Sequence, residues 1–148
     1  MAKTYKVLVS GQVQGVGFRP YVYNLASELA LKGTVSNNTD GVVIYISGQT
    51  QTADKFYSRL VKNPPPVSKI SWCAIREVNY QEFPDFRIIP TSKEGQVNLP
   101  LTPDFAICED CQKEIGDNLN RRYKYAFTTC VNCGPRWSIT RAFPFERS

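Results

Sequence analysis

Two Cys-x-x-Cys pairs, CEDC at 108–111 and CVNC at 130–133, stand eighteen residues apart near the C-terminal end of a 148-residue chain that contains no histidine. That spacing is the four-thiolate zinc pattern. Two intervening residues let one loop present two sulfurs to a metal, and a second loop completes the tetrahedron. Cys108, Cys111, Cys130 and Cys133 are the candidate ligands, Zn2+ is the expected ion, and four protein ligands leave no open position, so the role is structural. Gly134 permits the tight turn that aims backbone amides at sulfur. Buried free cysteines, disulfides or a redox pair account less well for two correctly spaced pairs, and an iron–sulfur cluster is a competing occupant. The pattern constrains folding because the segment from 104 to 148 is only about 45 residues long, a size that usually needs a metal or disulfides to stay folded.

The rest of the chain can build a core by itself. Apolar residues make up 42% and charged residues 21% of the chain, which excludes global disorder. No apolar run is long enough to span a bilayer, and MAKTYKVLVSG lacks the features of a secretory signal, so a cytoplasmic protein without a membrane partner is expected. The net charge of +5 permits an anionic partner without requiring a polymer, its densest group being Arg121, Arg122 and Lys124. Without histidine, the usual acid–base group is missing, and any catalysis must use other residues.

Residues 4–10 alternate as a strand with Tyr5, Val7 and Val9 on one face. From Arg19 to Lys32, Val22, Leu25, Ala26 and Leu29 recur at helical spacing, with Pro20 in the first turn and Gly33 as the stop. TVSN and VVIYISG, joined by NTDG, predict a hairpin. Ala53, Phe56, Leu60 and Val61 predict a second helix over 52–62, capped by Thr52 and ended by the prolines at 64–66. KISWCAIREV is a strand with Ile70, Trp72, Ala74 and Arg76 on one face, and Cys73 is read as a small core or edge residue. FRIIP near 86–90 is a final short strand. The order β-α-β-β-α-β-β makes an α+β, ferredoxin-like sandwich, an antiparallel sheet with two helices on one face. The expected boundaries are 1–91 for this domain, 92–103 for a linker and 104–148 for the zinc module.

Between the first strand and the first helix lies GQVQGVGFRP. Gln14, Gly15, Val16, Gly17 and Phe18 can turn successive N–H groups toward one point, the following helix adds its positive end, and Arg19 adds a planar fork of donors. On these residues alone, a tight strand-to-helix connection is the better account of the glycines. The spacing matches neither G-x-G-x-x-G nor the Gly-Lys-Ser/Thr nucleotide loops.

The run from Val13 to Arg19 resembles the phosphate loop of the acylphosphatases, and the resemblance extends over residues 4–90. It implies that Gln14 to Arg19 bind phosphate and that the asparagine ending the second strand, Asn37 in GTVSNNTDGVV, positions the attacking water. Asn38 follows on the opposite strand face. An acyl phosphate has a good leaving group, so positioning and charge stabilisation suffice for its hydrolysis, with Arg19 and Asn37 as the catalytic residues.

An acylphosphatase-like domain followed by PDFAICEDC and RRYKYAFTTCVNCGPRW is similar to the N-terminal part of the hydrogenase-maturation carbamoyltransferases. That resemblance implies carbamoyl phosphate as substrate, ATP used only in downstream domains absent from this chain, and an acceptor protein of hydrogenase maturation as partner. The chain is accordingly expected to be a fragment of a longer protein. The alternatives are a stand-alone acylphosphatase with a zinc module and a zinc-dependent nucleic-acid-binding module, although nucleic acid is not the expected partner. In the bland reading of RRYKYAF, its aromatics pack inward and its cations face water.

Overall fold

The computed structural model describes residues 1–91, 105–130, 132–134, 136 and 141. The linker expected at 92–103 lies outside the described residues. The elements are β1 (Lys3–Gln12), α1 (Phe18–Glu28), β2 (Lys32–Asn38), β3 (Gly41–Gly48), α2 (Thr50–Lys62), β4 (Lys69–Val78), β5 (Phe86–Ile88) and α3 (Glu109–Gly116). The last, inside the cysteine segment, was not expected from periodicity. Among the described residues, no helix is long and apolar enough to cross a membrane.

The five strands form one sheet in the order β4-β1-β3-β2-β5. The alternation of β1 buries Tyr5, Val7 and Val9, which join Phe18, Val22, Leu25 and Ala26 of α1 and Ala53, Phe56 and Leu60 of α2 in a single core. The two helices therefore cover the same face. The expected wholly antiparallel sheet needs one correction, because β5 runs parallel to β2. A simple reversal after β4 leaves β5 antiparallel to β4, and β2 already has that direction. The segment that crosses to the far edge is pinned to β1, where Thr4 Oγ1 donates to Gln81 O at 3.2 Å and accepts from Gln81 N at 2.9 Å.

The first helix ends before the predicted glycine stop. Ala30 takes the left-handed conformation (φ 51°), with Leu31 N donating to Ala26 O at 2.9 Å and Ala30 N to Ser27 O at 3.1 Å. This is a Schellman ending that has alanine at the position glycine usually holds, and buried Leu31 supplies its apolar contact. Gly33 instead lies within β2. Since a left-handed non-glycine residue costs about 1–2 kcal/mol, Ala30→Gly is expected to raise stability by roughly 1 kcal/mol, read as a higher urea midpoint at unchanged m-value.

Two further expectations change. The second helix starts at Thr50 with Gln49 in the cap position and no side-chain cap, so Thr52 is inside the first turn, and Val61 is exposed rather than packed. On β4 the predicted face is reversed over most of the strand. Ser10 pairs with Trp72 but Gly11 with Ile70, so Ser71 is an extra residue that shifts the alternation. Ile70, Cys73 and Ile75 consequently pack against the core, while Trp72 is 55% exposed. Burial pushes the Cys73 thiol up, partly offset by Tyr57, whose hydroxyl donates to the Cys73 carbonyl at 3.0 Å. A thiol in that state has little thiolate character.

Candidate anion loop and four-cysteine centre

The loop between β1 and α1 is folded by its own alternation of apolar and glycine residues. Val13, Val16 and Phe18 are each about 1% exposed and anchor it in the core. Gly15 and Gly17 between them have φ of 74° and 75°, and Gly17 occupies the N-cap of α1 without a side-chain cap. Left-handed residues interleaved with ordinary ones make a concave run of amides, and the first amides of a helix have no intrahelical acceptor. Arg19 is half-buried in the first turn of α1, directly after this run.

Gln14 has a task that its place in the motif does not disclose. Its side chain is buried, and Nε2 donates to both Asn38 O and Gly41 O at 2.7 Å. The amide thus clamps the loop to the two residues that flank the β2–β3 turn. Any contact of Gln14 with an anion must then come from its backbone rather than this NH2 group. The clamp brings the loop beside the end of β2, where Asn37 is 2% exposed and pairs with Val42 across the hairpin.

The two asparagines divide their roles by face. Asn38 Oδ1 accepts the Asp40 amide at 3.0 Å, which is the turn-stabilising role available to an asparagine here. Asn37 shares the buried face of β2 with Val35. Its Oδ1 is buried with no hydrogen-bond donor against it among the described residues, although the residue makes other interactions.

The structure brings the four predicted cysteine ligands together. Their Sγ atoms all lie within 4.8 Å of one another. Cys108–Cys130 are 3.5 Å apart, and Cys111–Cys133 and Cys130–Cys133 are 3.8 Å apart. With a Zn–S distance of about 2.3 Å, a ZnS4 tetrahedron has edges of about 3.8 Å, so the donor set fits that ion. Cys108 caps α3 and Cys111 sits in its first turn, which explains how one pair converges. In the other pair, Asn132 N points at Cys130 Sγ at 3.3 Å, and Gly134 (φ 78°) donates to Cys130 O at 2.9 Å.

Arg136, which the spacing rule does not flag, reaches back to this centre. Its Nη2 donates to Cys133 Sγ at 3.2 Å, and Nη1 donates to Phe105 O at 3.1 Å. Burial raises the Cys133 thiol, but backbone groups at Cys108 and Cys130, Arg136 and Thr129 outweigh it and bring the group down to about 6. Cys111 is driven upward by burial and by its sulfur neighbours. The aromatics of RRYKYAF do not pack inward, since Tyr123, Tyr125 and Phe127 are all more than 40% exposed.

Comparison with known proteins extends over both parts. Residues 5–88 match the acylphosphatase family, and residues 107–140 match the HypF finger. The carbamoyltransferase HypF of Synechocystis sp. is 40% identical over 147 residues, covering 99% of this chain and 19% of that protein. An acylphosphatase of Archaeoglobus fulgidus is 39% identical over 84 residues, or 93% of its own length. A crystal structure of full-length HypF superposes on 99% of this chain and 19% of its own with a TM-score of 0.89 and 40% identity. This chain therefore spans about a fifth of the HypF proteins it matches. It belongs to the acylphosphatase family, with an acylphosphatase-type hydrolase domain followed by a HypF finger.

Proposed function

We propose that this chain hydrolyses an acyl phosphate at the loop 14–19, that carbamoyl phosphate is the substrate, and that Arg19 and Asn37 are catalytic. The observation that carries the reading is the Gln14 clamp, which holds two left-handed glycines and the start of α1 against the end of β2. In the proposed complex the backbone amides from Gln14 to Phe18 and the Arg19 guanidinium hold the phosphoryl oxygens. Asn37 orients a water opposite the leaving group. The water oxygen bonds to phosphorus, the bond from phosphorus to the acyl oxygen breaks, and the carboxylate departs with the electron pair. A neutral amide is too weak a base to take the water's proton, so that proton goes to a phosphate oxygen or to solvent.

The choice of carbamoyl phosphate rests on the similarity of both modules, in their order, to carbamoyltransferase HypF. A full-length HypF was crystallised in a phosphate- and nucleotide-bound form, so a protein similar to this chain binds phosphate. In the same reading, ATP is used outside this chain and the carbamoyl group passes to an acceptor protein of hydrogenase maturation. The setting is the cytoplasm. Residues 1–91 are the catalytic unit, 92–103 the linker and 104–148 the finger, in which Cys108, Cys111, Cys130 and Cys133 hold a structural Zn2+.

Phosphate release from carbamoyl phosphate and from acetyl phosphate tests this directly. Turnover of both, with the higher kcat/KM for carbamoyl phosphate, is expected, and equal or reversed preference would remove the carbamoyl assignment. Asn37→Ala should lower kcat about 10²-fold while leaving KM within a few-fold, because a water-positioning group acts chiefly in the transition state. A large KM increase at unchanged kcat would place Asn37 in binding instead.

A further inference from the structure

The finger meets the hydrolase domain at the anion loop. Gly134, the residue that closes the second cysteine turn, lies so near that a Cβ placed on it would stand 3.5 Å from the Gly15 carbonyl oxygen and 3.7 Å from the Phe105 ring. Both Cys133 and Gly134 are buried. Phe105 is itself tied to the centre, since its carbonyl accepts from the same Arg136 guanidinium that donates to Cys133 Sγ. Asn132 of the turn also lines a cleft of about 390 Å³ together with Val16 and Gly17. Gly15 nonetheless remains exposed, so the contact leaves the loop accessible.

An anion nest built on glycines is loose by composition, because glycine restricts its own backbone less than any other residue does. Its amides converge only if neighbouring structure holds them. The core anchors Val13, Val16 and Phe18, and Gln14 holds the side toward β2, but Gly15 between them is exposed. The Cys130–Gly134 turn stands against the Gly15 peptide, and a metal joining four sulfurs is what would make the turn rigid.

We infer that the Cys130–Gly134 turn is a positioning element for the anion loop, so that metal loading of the finger preorganises phosphate binding some distance from the metal itself. This rests on the reading of residues 14–19 as a phosphate site. If the unsupported loop holds its binding-competent shape in about a tenth of molecules, the apparent affinity falls about tenfold.

The test is calorimetric binding of inorganic phosphate to the full chain in three states: metal-loaded, metal-stripped with the chelator removed by desalting, and reloaded with Zn2+. Core methyl spectra report whether the hydrolase domain stays folded. Affinity about tenfold weaker in the stripped chain, with unchanged core signals and recovery on reloading, is the expected result. Phe105→Ala keeps all four thiolates and should weaken phosphate about threefold at full metal content. Equal affinity in the loaded and stripped states would overturn the inference while leaving the phosphate site intact. A loaded chain that binds no phosphate would overturn the phosphate-site reading as well.

Discussion

Arg19→Ala is expected to lower kcat for acyl phosphate hydrolysis about 10³-fold and to weaken inorganic phosphate binding, with little change in thermal stability. Arg19 occupies the first turn of α1, two residues after the second left-handed glycine, and is only half-buried, so its loss removes little core packing. Charge develops on the equatorial oxygens as phosphorus is transferred, and a guanidinium beside them is worth about 10³–10⁵ in rate in comparable phosphoryl-transfer sites. Arg19→Lys should recover only part of the loss, because an ammonium supplies charge without the two-pronged geometry. Phosphate release and phosphate titration of the three proteins check this. Near-normal turnover by Arg19→Ala would remove Arg19 from the mechanism.

The second large effect concerns the metal. Cys111 is the most buried of the four sulfur-bearing residues at 1% exposure, and it stands in the first turn of α3, which has no other buried residue. Among the described residues of the finger, packing is sparse: Leu119, Tyr123, Tyr125 and Phe127 are exposed, and Phe105, Ile107 and Ile115 are only half-buried. Structural zinc in small fingers contributes about 10–16 kcal/mol at neutral pH, far more than such a segment gains by packing. Cys111→Ser, or removal of the metal, should therefore unfold the finger. Hydrogen exchange is the measurement: amides in 105–136 should lose protection, while those of β1, β3 and α2 keep theirs. Loss of protection in both parts together would mean that the two modules fold as one unit.

What the amino-acid sequence discloses here follows from the range of the interactions involved. The alternation at Tyr5, Val7 and Val9 and the helical spacing through Val22 and Leu25 are local, and both appear in the structure where the pattern places them. Ala30 shows the opposite case. Nothing in alanine signals a left-handed helix end, and Gly33 nearby offered a stronger signal with a different use. On β4 a single unpaired Ser71 reversed the faces of Trp72 and Cys73, and a bulge of that kind is set by the partner strand rather than by the strand's own sequence. The parallel pairing of β5 likewise depends on where the sheet leaves an open edge.

The site divides in the same way. Cysteine spacing is a local signal, and the four sulfurs come together in the structure. Gln14 was legible as part of a motif but not as a clamp on Asn38 and Gly41, since its partners are 24 and 27 residues away. Burial separates Asn37 from Asn38, which strand alternation alone could do only once the register with β3 was known. The contact of Gly134 with the loop joins residues more than a hundred positions apart in the chain, and no periodicity reports it.

The central claim is that the loop and Asn37 direct water to phosphorus. Hydrolysis of acetyl phosphate by this chain in 18O-labelled water tests it most directly, with the products separated and weighed by mass spectrometry. The account predicts one labelled oxygen in the phosphate and none in the acetate, at a rate well above that of the buffer and largely abolished by Arg19→Ala. Label in the acetate, or release no faster than in buffer, would contradict it.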